Sequence, residues 1–208
     1  MSVLANRRSV MTLYADEADP VGHCVRIVLR EKDINVDVVF VDEDTKPEDL
    51  NDLNPYDTVL TLVDRDLVLY DAQIMMEYLD ERYPHPPLMP VDPVSRANNR
   101  QFRYRVMRDL YGVVGELDGG DATAAANARK SIRDNLLAIA PIFSARPFFM
   151  SDEFSLVDCC FAPLLWRLSS YEVKLGPQGK PIVKYAESLF GRDGFQSSLS
   201  PAERELSP

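Results

Sequence analysis

Histidine and cysteine carry most of the chemistry open to a side chain, and this sequence uses both sparingly. It holds two histidines, His23 and His85, and three cysteines, Cys24, Cys159 and Cys160. An odd, scattered cysteine set gives no disulfide framework, and no CxxC or Cys/His spacing suggests zinc. Cys159 and Cys160 lie side by side in an apolar helical stretch and read as buried structural thiols, while Cys24 reads as a helix residue with no role in catalysis. His23 is expected at the surface, close to the mouth of any cleft. His85 has a more informative setting. It sits in YPHPPLMP, Tyr83 to Pro90, where four of the eight residues are proline. Such a rod is ordered before it meets a partner and loses little entropy on binding. Tyr83 adds a large amphipathic ring, and His85 a hydrogen bond or a charge that changes near neutral pH. The plainer reading is a rigid connector, with His85 packed across a junction.

Arginines form a second cluster. Arg96, Arg100, Arg103, Arg105 and Arg108 run without an acidic residue until Asp109. Arg96, Arg100 and Arg103 share one helix face at i, i+4, i+7 spacing. That face can meet an acidic partner, remain a solvated surface, or pair with acids of the N-terminal half.

The elements that must position these residues fall into two kinds. VMTLY (10–14) is a short apolar run. VGHCVRIVLREKDI follows with Val21, Val25, Val28 and Leu29 at helical spacing, and VDVVFV (36–41) is β-branched and strand-like. TVLTLVDRDLVLYD (58–71) reads as two strands about a turn at Asp64-Arg65-Asp66, and AQIMMEYLDERY (72–83) as a helix with Ile74, Tyr78 and Leu79 toward the core. This β-α-β-(α)-β-β-α order describes an α/β unit with a small mixed sheet. Beyond Pro93 the patterns are helical: 95–117 with a stripe of Phe102, Val106, Leu110, Val113 and Val114, then a break over GGDATAAA (119–126) and a helix through 128–143. An apolar helix at 155–171 is expected to be buried, 180–190 is a last clear helix, and 200–208 reads as a loose tail. The expected organisation is an α/β domain over 1–83, a proline-rich linker over 84–93 and an all-helical domain over 94–208. Proline ends the preceding helix near Tyr83.

Composition narrows the function classes. The chain has 208 residues and a net charge of -10. An acidic protein repels phosphate backbones, so sequence-specific nucleic-acid binding by this chain alone is not expected. No apolar run approaches the ~20 residues of a membrane span. The N-terminal residues lack the apolar core of a secretory signal, so a cytoplasmic location is expected.

The pairing of NPYDTVLTLVD (54–64) and LYDAQIMMEYLDERYP (69–84) with FSLVDCCFAPLLW (154–166) resembles the glutathione-transferase superfamily over nearly the whole chain. The resemblance implies a thioredoxin-like N-terminal domain and an all-α C-terminal domain. In the third segment Ser155 can cap the buried helix, with Asp158 reaching back to the N-cap. A narrower resemblance is to an RNA-polymerase-associated branch of that superfamily. It is carried by NRRSVMTLY (6–14), VRIVLREK (25–32), LVDRDL (62–67), MEYLDERYPHPPLMPVDPVSR (76–96), LLAIAPIF (136–143) and FFMSDEFSLVDCC (148–160).

For the superfamily's chemistry, the resemblance implies a thiol-activating Tyr, Ser or Cys after the first strand, a cis-proline before the third, and an acid-Ser pair at the third helix. Here those positions hold Asp19, Leu60 and Asp71-Ala72. A carboxylate at Asp19 repels a thiolate. Leu60 is expected in trans, because a non-proline cis bond costs ~2.5–4 kcal/mol, and Ala72 lacks the hydroxyl. No catalytic residue, cofactor or metal is therefore expected. The competing reading is a glutathione-dependent enzyme using Tyr14. For the narrower branch, the resemblance implies regulation of transcription in starvation or stress. Tyr83, Pro84, His85, Pro86 and Pro87 would contact RNA polymerase and its primary sigma factor; Arg96, Arg100 and Arg103 are candidates for a second partner surface on their spacing alone, beside the two other readings of that face. It also implies a homodimer.

Overall fold

A computed structural model of the chain describes residues 10–42, 46, 48–56 and 58–206. The strand expected at 10–14 is β1, Thr12–Ala15, and the helix after it is α1, Pro20–Glu31. Then come β2, Asp37–Phe40, and a short α2, Glu48–Asn51. The paired strands are β3, Thr61–Asp64, and β4, Leu67–Leu69, closed by a turn in which Arg65 has φ 58°. The first lobe ends with α3, Ala72–Arg82.

These strands form one mixed sheet in the order β2-β1-β3-β4. β1 runs parallel to β2, with Leu13 opposite Val38, and antiparallel to β3, with Leu13 opposite Leu62. The parallel β1-β2 pair needs a crossover, and α1 supplies it. One sheet face packs Leu13 and Leu62 against Val25, Val28, Met75, Met76 and Leu79. On the other, Tyr14 joins Val41, Leu50 and Val59 in a separate cluster. Ile74 was expected in the core and is instead 56 % exposed. The helix turns its Met75, Met76 and Leu79 face inward, and Ile74 falls outside that arc.

From Pro93 the chain is helical. α4, Pro93–Arg105, runs into a π-turn at Val106–Leu110 and a 3₁₀ segment at Tyr111–Glu116, so the expected single helix over 95–117 changes pitch twice. Val106 and Leu110 stay in the core through the change. Asp121 caps α5, Ala122–Ala138, whose expected continuation to 143 is a 3₁₀ turn around Pro141. α6, Leu156–Trp166, is buried along its whole length, and α7, Lys180–Phe190, matches the expected last clear helix. α8, Asp193–Ser198, and α9, Pro201–Glu205, complete the fold.

The loose tail expected at 200–208 needs correction over 200–206, residues 207–208 lying outside the described ones. Ser200 and Glu203 form a capping box on α9, and Glu203 is fully buried. The larger of the two apolar clusters runs from β1 through α1 and α3 to Leu88, α6 and α7, joining the two lobes. Among the described residues, no helix is long and apolar enough to cross a membrane.

Candidate functional site

The proline segment leaves the body of the protein at the end of α3. Tyr83 accepts the helix C-cap position, its N–H donating to Leu79 O. Pro84, His85, Pro86 and Pro87 are all exposed, while Leu88 and Met89 turn back into the core. The His85–Pro86 bond is cis. The Arg82 guanidinium lies 5.6 Å from the Tyr83 ring centroid and pairs with Asp64 at 2.9 Å. Asp64 also accepts from the Tyr78 hydroxyl at 2.5 Å. His85 is therefore presented outward on a loop, rather than packed across the junction.

Beneath the loop stand two residues that the sequence did not single out. Lys32 is 6 % exposed, and its ammonium donates to Tyr83 O at 2.5 Å and Pro86 O at 2.7 Å. It also pairs with Asp80 at 2.8 Å, whose carboxylate accepts from Leu88 N–H at 2.8 Å. These carbonyls lie 51 and 54 residues along the chain from Lys32. A lysine at a helix C-terminus ordinarily reaches solvent, so nothing local marked it.

The arginine face divides. Arg103 is only 1 % exposed, which corrects its expected place on a partner surface. It donates to Asn99 Oδ1 at 3.0 Å, to Gln73 Oε1 at 2.6 Å and to Glu77. Arg100 holds Glu77 in a bidentate pair and lowers its pKa. Arg96 lies 3.8 Å from Glu81 and is partly exposed. The helix α4 thus pairs with acids of α3 across the junction, the third of the three readings open to this face.

The positions corresponding to the glutathione site are occupied by their own backbone contacts. Asp19 caps α1, accepting from Val21 N–H at 2.9 Å and Gly22 N–H at 2.7 Å. Burial raises its pKa while those two bonds oppose the shift. The amides and positive helix end that would stabilise a thiolate are thereby engaged by a carboxylate. A Cβ on Gly22 would stand 3.1 Å from Asp19 Oδ2 and 3.6 Å from Leu60 Cδ1, so both side chains close over the first turn of α1. The bond before Leu60 is trans. Asp71 caps α3 by accepting from Ile74 N–H at 3.0 Å, and Ala72 is buried. Tyr14 is 5 % exposed and packs in the Val41, Leu50 and Val59 cluster. Cys159 and Cys160 are buried, as their apolar helical setting suggests, and Cys24 is buried as well.

His23 requires the largest correction. Expected at the surface, it is fully buried beside Phe195, with Nε2 at 2.8 Å from Ser198 Oγ. Its Nδ1 lies 3.2 Å from both Arg167 Nη1 and Glu203 Oε1. Glu203 also receives the Arg26 guanidinium at 2.7 and 2.9 Å and pairs with Arg167. Burial lowers the His23 pKa to about 4, so the ring is neutral at pH 7. Burial opposes the Glu203 charge, yet contacts from His23 and Arg26 outweigh it and hold the carboxyl well below the usual range. This cluster joins α1, α6 and α9. Among the described residues, no group of three or more His, Cys, Asp or Glu is placed to hold a metal ion.

Comparisons with known proteins agree with this architecture. The glutathione S-transferase N-terminal domain family matches residues 13–87, and the glutathione S-transferase C-terminal domain family matches residues 90–193. A stringent starvation protein A homolog from Pasteurella multocida (strain Pm70) is 50 % identical over 200 residues, covering 96 % of this chain and 94 % of the relative. Another, from Coxiella burnetii (strain RSA 493 / Nine Mile phase I), is 46 % identical over 201 residues, covering 96 % of each. A glutathione transferase structure from Methylococcus capsulatus str. Bath superposes with a TM-score of 0.84 at 23 % identity, over 94 % of this chain and all of that one, which establishes the shared fold. With both glutathione-transferase domains matched and full-length relatives at half identity, this chain belongs to the stringent starvation protein A family of glutathione-transferase-like proteins.

Proposed function

We propose that this chain regulates transcription in starvation or stress by docking on RNA polymerase and its primary sigma factor, without glutathione chemistry. Residues 84–93 act both as the linker between the domains 1–83 and 94–208 and as the docking surface, through Tyr83, Pro84, His85, Pro86 and Pro87. The observation that carries this reading is the exposure of Pro84–Pro87 on a loop whose ends are anchored in the core. Flat proline rings and one hydrogen-bonding imidazole suit a protein surface better than a small-molecule cleft. Arg96, partly exposed and reaching Pro90 O at 3.5 Å, and the exposed Arg100 form the accessible part of a second contact on the α4 face. The net charge of -10 supports action through protein contacts, with no sequence-specific DNA binding by this chain alone. A homodimer in the cytoplasm is the expected working form, and sedimentation at the mass of a single chain would count against it.

The experiment is binding of purified protein to RNA polymerase holoenzyme, beside His85→Ala. Binding by the parent and its loss in the variant, with unchanged circular dichroism, is the expected result. Equal binding by both would remove His85 from the surface. The competing transferase reading uses Tyr14, and retention on glutathione resin with turnover of a generic electrophile would support it. Against it stand the carboxylate cap at Asp19, the Leu60 side chain over Gly22, and the packing of Tyr14.

A further inference from the structure

A loop of three prolines has few ways to hold itself. Pro84, Pro86 and Pro87 carry no N–H, so the segment cannot build a hydrogen-bond ladder of its own. Its carbonyls are instead gathered from below. The three protons of one ammonium match three acceptors: Tyr83 O at 2.5 Å, Pro86 O at 2.7 Å and Asp80 Oδ1 at 2.8 Å. The same Asp80 oxygen accepts from Leu88 N–H, and Leu88 O accepts from Leu156 N–H at 2.9 Å. The loop is thus gripped at its start, its middle and its end, from α1, α3 and α6.

A buried ion pair is a weak source of stability, because desolvation offsets most of the attraction and an apolar pair of similar volume often serves as well. What Lys32 and Asp80 supply that an apolar pair does not is direction: they determine where two carbonyls and one amide of the exposed loop must lie. We propose that Lys32 and Asp80 are positioning residues for partner recognition, fixing the shape in which Tyr83–Pro87 is presented. This rests on the reading of that segment as the docking surface. A surface already in its bound shape avoids the ordering cost that a loosened loop would incur on association.

The test uses the double variant Lys32→Met/Asp80→Asn, which removes both buried charges together and leaves an oxygen to accept from Leu88 N–H. Two readouts are taken on the full chain: affinity for RNA polymerase holoenzyme, with His85→Ala alongside, and amide hydrogen exchange of peptides spanning residues 83–89. The expected result is an affinity loss of about tenfold or more, with faster exchange over 83–89 and unchanged exchange in α1 and α6. A double variant that binds within about threefold of the parent, while His85→Ala loses binding, overturns the positioning role. So does unchanged exchange over 83–89, whatever the partner. A parent that does not bind at all instead overturns the docking reading, and the exchange measurement then still decides whether the pair shapes the loop.

Discussion

Asp19 illustrates how one side chain can close a chemical route while serving a structural one. An N-terminal helix end presents unpaired amides and a partial positive charge, the environment in which a thiol gives up its proton. Asp19 answers those amides with its own oxygens at 2.7 and 2.9 Å. The same contact explains its value to the fold. Asp19→Ala is expected to lower stability by about 1 kcal/mol, the usual worth of an N-cap, measured by urea denaturation. It should not confer retention on glutathione resin, because Leu60 still lies over Gly22. Tyr14, the alternative thiol partner, is held on the opposite sheet face from α1 by Val41, Leu50 and Val59.

At the scale of elements, the C-terminal α9 is short but strongly attached. Helices of this length have little intrinsic stability and depend on tertiary contacts. Here the contacts are polar: Glu203 lies between Arg26 of α1 and Arg167, the residue after α6, and its carbonyl accepts from Trp166 Nε1 at 2.8 Å. Removing one member of a buried charge cluster leaves the others uncompensated. Glu203→Gln is therefore expected to destabilise the protein by roughly 3–5 kcal/mol, seen as a lowered thermal midpoint. A loss below about 1 kcal/mol would mean the cluster behaves as a solvent-screened surface pair. α6 is secured differently. Asp158 accepts from Ser155 N–H, Ser155 Oγ, Phe149 N–H and the Tyr185 hydroxyl, so the cap also ties down the preceding loop and α7.

Across the whole molecule, His23 couples the two lobes to pH. Its folded pKa of about 4 lies below the ordinary 6.5 because burial disfavours the imidazolium. The unfolded chain therefore binds the proton first, and folding stability falls as pH drops from about 6.5 to about 4. The full effect is roughly 3 kcal/mol across that window and vanishes above it. Glu203 acts in the same direction at lower pH, since its depressed carboxyl contributes stability that is lost as it protonates. His23→Gln should flatten the stability profile between pH 4 and 6.5 relative to the parent, measured by chemical denaturation at each pH. A parallel profile would place the titration elsewhere.

The order of amino acids was enough for much of the secondary structure and for the change from an α/β lobe to a helical one. Those follow from apolar spacing and proline placement, which are local properties. It also determined that YPHPPLMP could not be helix, and it carried the family resemblance through contiguous blocks such as MEYLDERYPHPPLM. The polar interior is set only once the chain is folded. His23 and Arg103 occupy positions that, read along the chain, suit a surface; their partners Glu203 and Glu77 come from distant segments. Lys32 is buried for the same reason, its acceptors being brought beneath it by α3 and the turn that follows. Periodicity reports which side of a helix is apolar, but a buried charge is stable only where several remote donors and acceptors converge. That convergence is a property of the folded chain.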